Sequence, residues 1–236
     1  MNINSDEWKE SLASLCRDFH IDIDRRQSDQ MALYATELLA GNEKINLTAI
    51  TDPAEVAEKH IIDSLIPGKY IQSVSSVPEI TLLDIGTGGG FPGIPLKIFI
   101  PSLSVSLVDS SRKKINFLKY VIRILNLKNI SAQQYRVEEL SKHPDFAGQF
   151  DMVISRAFTS LKRFLFLAVP LIKPDGFIIV MKGKDVQKEL DELNVAKIGA
   201  NGYQINDQKI KLQVEKYRLP ISGDDRSLVI AGNYFS

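Results

Sequence analysis

The segment LLDIGTGGGFPGIPLKI, residues 82–98, places five of the chain's fourteen glycines within eight positions. Glycine has no Cβ, so such a run marks a turn that needs positive φ, or a backbone that something must approach closely. The apolar LLDI before it reads as a buried strand, and the residues after it as a helix. A strand, a glycine turn and a helix in that order belong to the carboxyl edge of a parallel sheet, where open α/β folds bind ligands.

The rest of the chain fits such a sheet. Short apolar runs at ITLLDI, LSVSLVD, ISAQQY, FDMVIS and GFIIVMK have strand length and alternate with helical periods. The clearest period sets Ile115, Leu118, Ile122 and Leu125 on one face of residues 111–126. Strands separated by helices imply parallel pairing with right-handed crossovers. KIKLQVEKYRLP and RSLVIAGNY have no helix between them, which predicts an antiparallel hairpin closing the sheet edge.

Before the first strand the pattern is helical. Trp8, Leu12, Leu15, Cys16 and Phe19 recur at helical spacing, as do Met31, Tyr34 and Leu38. GNEKINLT, with Gly41 and two asparagines, is expected to interrupt the helices, and Asp52 with Pro53 to cap and begin a third. The serine-rich YIQSVSSVPEI, closed by Pro78, reads as a boundary. The expected organisation is an N-terminal helical appendage, residues 1–72, and a Rossmann-like α/β domain with a terminal antiparallel hairpin, residues 73–236.

Lysine plus arginine equals aspartate plus glutamate, 29 each, which argues against coating nucleic acid by bulk charge. One cysteine leaves no disulfide framework, and His20, His60 and His143 lack metal-ligand spacing. The amino terminus has no signal-peptide pattern, and the longest near-apolar run, FLFLAVPLI, is too short to span a bilayer. A soluble cytoplasmic protein without metal or membrane is expected.

Two registers fit the glycines. Gly88, Gly90 and Gly93 match G-x-G-x-x-G, the dinucleotide fingerprint. Asp84, Gly86, Gly88 and Gly90 match D-x-G-x-G-x-G, the first motif of S-adenosylmethionine-dependent methyltransferases. Asp84 favours the second, since a carboxylate there would repel a pyrophosphate but favour an ammonium and a sulfonium. Pro92 and Pro95 suit a bent entry to the helix. Asp109 closes the second strand, where either cofactor needs an acid for the ribose hydroxyls.

The acceptor is approached by elimination. An exocyclic amine usually calls for an Asn/Asp-Pro-Pro-aromatic motif after the fourth strand, but residues 154–158 read ISRAF. A pyrimidine C5 acceptor needs a cysteine nucleophile, and Cys16 lies outside the sheet region. An acceptor already nucleophilic, such as guanine N7, needs only alignment. Small-molecule oxygen or nitrogen acceptors survive the same elimination.

NLTAI, HIIDSL, LLDIGTGGGFPGIPL, VDSSRKKINFLKYV, YRVEEL, FDMVISRAF and MKG occur in the order and spacing of one family. The chain resembles the bacterial small-subunit ribosomal RNA methyltransferase G family, also called glucose-inhibited division protein B. The resemblance implies methyl transfer from S-adenosylmethionine to guanine N7 of 16S ribosomal RNA, in the decoding-region loop of helix 18. The neutral overall charge suggests weak affinity for naked RNA, so a small ribosomal subunit or its precursor, recognised partly by shape, is the expected substrate. Gly86 and Phe91 match family positions in the cofactor pocket, Val137 and Glu138 the pair along the adenine, and Arg156 the arginine beside cofactor and target base. The family often has alanine at the position of Gly89. Many relatives also end in a basic tail, which AGNYFS lacks, so RNA contact from a tail is not expected.

Other candidates carry two readings. Arg112, Lys119 and Arg123 form one stripe of a helix, either a phosphate grip or a solvated face. Lys182 and Lys184 flank Gly183 at the end of the fifth strand, on the cofactor edge, and are candidates for RNA contact. His60 and Asp63 are spaced to share a helix face and read either as a ligand or acid–base pair or, in preference, as a hydrogen-bonded pair linking the helices to the core. Arg156 is always charged, so its expected role is positioning and not proton transfer. The rival readings are a small-molecule methyltransferase, a nicotinamide-dependent oxidoreductase and a non-catalytic ribosome-binding factor.

Overall fold

A computed structural model of the chain describes residues 2–74, 79–184, 186–193, 197–198 and 202–232. Strands β1 (Thr81–Ile85), β2 (Ser104–Asp109), β3 (Ile130–Gln134), β4 (Phe150–Arg156) and β5 (Ile172–Lys182) pair in parallel in the order β3-β2-β1-β4-β5. The expected hairpin is present as β8 (Gln208–Arg218) and β9 (Asp225–Gly232), with β9 antiparallel to β5. Two short strands unread in the sequence, β6 (Lys197–Ile198) and β7 (Gly202–Ile205), extend the sheet beyond β8. They are too short to show a period of two.

Both faces of the central sheet are buried, which is why its strands are apolar throughout. Leu82, Leu107, Met152 and Ile179 enter one core and Leu83, Val108, Val153 and Ile178 the other. The first core also takes Trp8, Met31, Tyr34 and Leu38 from the N-terminal helices α1 (Asp6–Asp18) and α2 (Arg25–Ile45). Those helices and one face of the sheet therefore share a continuous apolar interior.

Gly41 does not interrupt α2. A Cβ there would lie 2.8 Å from the Phe117 ring, so the glycine admits a neighbouring side chain while the helix runs on to Ile45. Asn46, at φ 42°, ends it. As expected, Asp52 caps the next helical run and accepts from the Ala54 and Glu55 amides, with Pro53 in its first turn. That run passes into a π-helix, Val56–Ile62. The helix between β2 and β3, Arg112–Ile124, is slightly shorter than the predicted 111–126. Ile115, Leu118 and Leu125 are buried, Ile122 only partly. Pro78 and the tail after Gly232 lie outside the described residues. Among the described residues no helix is long and apolar enough to cross a membrane.

Candidate active site

The glycine loop leaves β1 at Ile85 and enters the helix Gly93–Phe99. Gly86, Gly88 and Gly90 all have positive φ, at 69°, 58° and 112°. Much of the crowding around them is the protein's own. A Cβ on Gly90 would meet Ile94, Leu118 and the Tyr34 hydroxyl within 2.9 Å, and one on Gly93 would lie 2.3 Å from Leu107. Tyr34 also donates a 2.8 Å hydrogen bond to the Gly89 carbonyl, so α2 braces the loop from below. A Cβ on Gly89 would meet a terminal methyl of Leu38 at 2.9 Å.

Asp84 is fully buried behind this loop. Its Oδ2 accepts from the Thr87 hydroxyl at 2.6 Å and the Gly93 amide at 2.9 Å, tying both ends of the loop to β1. Its Oδ1 is buried with no hydrogen-bond partner. Burial pushes its pKa up to about 7, against the two hydrogen bonds and the charge of Arg156.

A cleft of about 500 Å³ opens along the carboxyl edge of the sheet. Gly86, Asp109, Val137 and Glu138 line it, four of the residues singled out in the sequence. Asp109 also shapes it, for its Oδ2 accepts from the Gly88 amide at 3.0 Å and its Oδ1 from the Ser111 amide at 2.8 Å. Glu138 is exposed and paired with Arg163 at 2.7 Å. Sequence reasoning missed Lys114, Tyr135, Arg136 and Phe158, which also line the cleft. Gly88, Gly90, Phe91 and Asp84 lie outside its lining.

Ala157 belongs both to this cleft and to a second of about 330 Å³, lined by Ile50, Lys59, His60, Asp63, Arg156 and Met181 among others. Arg156, the last residue of β4, is committed to the π-helix: its Nη1 donates to the Lys59 carbonyl at 2.8 Å and its Nη2 lies 3.0 Å from His60 Nδ1. A π-turn departs from the α-helical ladder, and such turns recur at functional sites. Arg156 also approaches Asp63, at 3.6 Å, and lies 4.8 Å from the Phe91 ring centre. His60 stacks on that ring at 4.4 Å.

His60 and Asp63 thus meet through Arg156, and no direct bond joins them as the sequence had suggested. His60 Nε2 lies 2.6 Å from the Thr48 hydroxyl, while Asp63 accepts from the Tyr217 hydroxyl at 2.7 Å. Their helical spacing was legible, but the strand residues between them were not. Burial first, then the Arg156 charge, lowers the His60 pKa to about 3.

Lys182 turns inward, bonding the Thr159 carbonyl and the Glu189 carboxylate, both at 2.8 Å. Lys184 is exposed on the rim of a third cleft, which Arg226 shares with the second. Arg112, Lys119 and Arg123 are exposed on their helix, outside the lining of the first two clefts.

A family model described as "rRNA small subunit methyltransferase G" matches residues 27–217. The chain is 40% identical to the ribosomal RNA small subunit methyltransferase G of Geobacter sp. (strain M21), over 95% of this chain and 97% of that one. It is 43% identical to the protein of the same name from Geotalea uraniireducens, over 84% of each. In fold it is similar to the crystal structure of a SAM dependent methyltransferase from Aquifex aeolicus, with a TM-score of 0.52 and 16% identity, covering 76% of this chain and 93% of that one.

Proposed function

The chain belongs to the rRNA small subunit methyltransferase G family, and on that premise we propose that it methylates N7 of a guanine in 16S ribosomal RNA, in the decoding-region loop of helix 18. The substrate is the small ribosomal subunit or its precursor. The observation that carries the reading is the meeting of two clefts at Ala157, one suited to a nucleoside cofactor and one to an acceptor base.

The first cleft fits S-adenosylmethionine. Asp109 offers its carboxylate to ribose hydroxyls, Val137 an apolar flank and Glu138 an acceptor beside the adenine. The buried, unpartnered Oδ1 of Asp84 lies behind the glycine loop, and this carboxylate, when ionised, suits a cation and not a pyrophosphate. When bound, this cofactor supplies an electrophilic methyl: the N7 lone pair forms the new bond, the C–S pair leaves on sulfur, and the base is left cationic.

No proton has to move, and the second cleft is built accordingly. His60, with its pKa lowered to about 3, is a poor base at neutral pH. Asp63 is committed to Tyr217 and the guanidinium of Arg156. The cleft's work is alignment, which can supply most of the acceleration for such an acceptor. Arg156 acts as a positioning residue, holding residues 59–63 of the helical appendage against the end of β4. Lys184, Arg112, Lys119 and Arg123 are exposed cations available to RNA phosphates, whereas Lys182 is already paired.

The test is to incubate the protein and methyl-labelled S-adenosylmethionine with small subunits from cells lacking this activity. Borohydride and aniline then cleave the recovered RNA at 7-methylguanine. One labelled cleavage in the decoding-region loop is expected. Label without cleavage would overturn the N7 assignment, and robust methylation of short naked RNA would overturn the subunit as substrate.

A further inference from the structure

Among the described residues, Phe158 is the large hydrophobic side chain that lines the first cleft and yet remains 40% exposed. Leu33, Tyr120, Phe166 and Ile221 are similarly exposed, but of these side chains Phe158 is the one in the lining of this cleft, where a ligand could cover it. The position is also held firmly. Ala157, at φ 51°, takes the left-handed conformation that L-residues seldom adopt and turns the chain at the end of β4. The Phe158 ring then lies so close over Gly86 that a Cβ there would be 2.3 Å from its Cδ2. Its ring also makes a near-perpendicular contact with Phe164, at 6.3 Å and 73°.

The lining of the cleft has an order, given the cofactor reading above, on which this inference rests. Val137 and Glu138 flank the adenine end and Asp109 the ribose. Gly86, Ala157 and Phe158 form the end that meets the acceptor cleft, where the transferable methyl must lie. The two carboxylates in the lining, Asp109 and Glu138, belong to the other positions. At the methyl end the side chain open to the cleft is an aromatic ring, a group whose π-system can favour a cation.

We propose that Phe158 is a specificity-determining residue that holds the cofactor's sulfonium by a cation–π contact, so that the site prefers the charged cofactor to its neutral thioether product. Methyl transfer moves the positive charge from sulfur to the base and removes this attraction. The ring then favours exchange of spent for fresh cofactor.

Calorimetry on the full chain tests this with three ligands: S-adenosylmethionine, the neutral product S-adenosylhomocysteine, and sinefungin, whose amine replaces the sulfonium with another cation. Phe158→Leu is expected to weaken the two cations by about 3- to 30-fold and the neutral product by less than about twofold. Phe158→Tyr, which keeps the ring, is expected to retain the wild-type preference, and thermal unfolding of both variants checks their fold. Equal losses for all three ligands would reduce Phe158 to packing. Tighter binding of all three would mean that the ring blocks the site, and either result overturns the proposal. A wild-type protein that binds none of the three would fail the cofactor reading itself.

Discussion

Arg156 Nη2 lies 3.0 Å from His60 Nδ1, joining residues 96 positions apart in the chain. The guanidinium also donates to the Lys59 carbonyl and faces Asp63, so one side chain of β4 holds the π-helix at the second cleft. Replacing it with methionine removes the donor of the Lys59 carbonyl and the nearer cation of Asp63, which keeps Tyr217 and Arg226. Arg156→Met is expected to cost about 1–3 kcal/mol in urea denaturation. Arg156→Lys keeps the charge but not the planar fork. It is expected to lower subunit methylation at least about tenfold, the loss in rate that about 1.4 kcal/mol of misalignment gives, with little change in cofactor affinity by calorimetry.

His60 sets an acid limit on stability. It ionises near 6.5 when unfolded and at about 3 when folded, so the unfolded chain binds the extra proton between those values. Its contribution is present above about pH 6.5 and is lost as pH falls towards 3, by up to about 1.4 kcal/mol per pH unit. Urea titrations from pH 7 down to 4 should show a shallower loss for His60→Asn than for the wild type.

Asp84 works in the opposite direction. Its folded pKa, raised to about 7 from 3.8, gives a stabilising share that is present below pH 3.8 and lost as pH rises through 7. A cationic cofactor favours the ionised carboxylate. Its affinity should therefore rise as pH approaches 7 from below, with proton release on binding, seen by calorimetry in buffers of different ionisation enthalpy. Asp84→Asn should abolish the proton release attributable to this site.

Gly93 and Gly88 separate two reasons for a glycine. Gly93→Ala drives a Cβ to within 2.3 Å of Leu107 and 2.8 Å of Asp84 Oδ2, an overpacking expected to cost about 1–3 kcal/mol or more. At Gly88 a Cβ meets only the Gly86 carbonyl, at 3.9 Å, and the cost is that of φ 58°, about 1–2 kcal/mol. Thermal unfolding should rank Gly93→Ala as the more damaging.

Tyr34 reports the brace under the loop. Tyr34→Phe keeps the ring but leaves the Gly89 carbonyl without that donor, with an expected loss of about 1 kcal/mol in chemical denaturation.

Sequence alone determined what is local and periodic. Strand lengths and the apolar period of residues 112–124 follow from a repeating geometry, and Asp52 with Pro53 announces a helix start through chemistry confined to four residues. The glycine loop and Asp109 were legible for the same reason, because strand, turn and helix stand next to one another in the chain. Two lining residues of the first cleft, Gly86 and Asp109, could therefore be named from the pattern, while Val137 and Glu138 came from the family resemblance.

Tertiary structure decided what depends on distance through space. Gly41 is a packing glycine because Phe117 lies against it, and Asp84 is a buried brace because Thr87 and Gly93 fold back onto it. Lys182 is spent on Glu189, while the exposure of Phe158 over Gly86 follows from one backbone angle at Ala157. A side chain's partners are set by the residues the fold brings to it, whether seven positions away, as Glu189 is from Lys182, or tens, as Phe117 is from Gly41, and no strand or helix period encodes them.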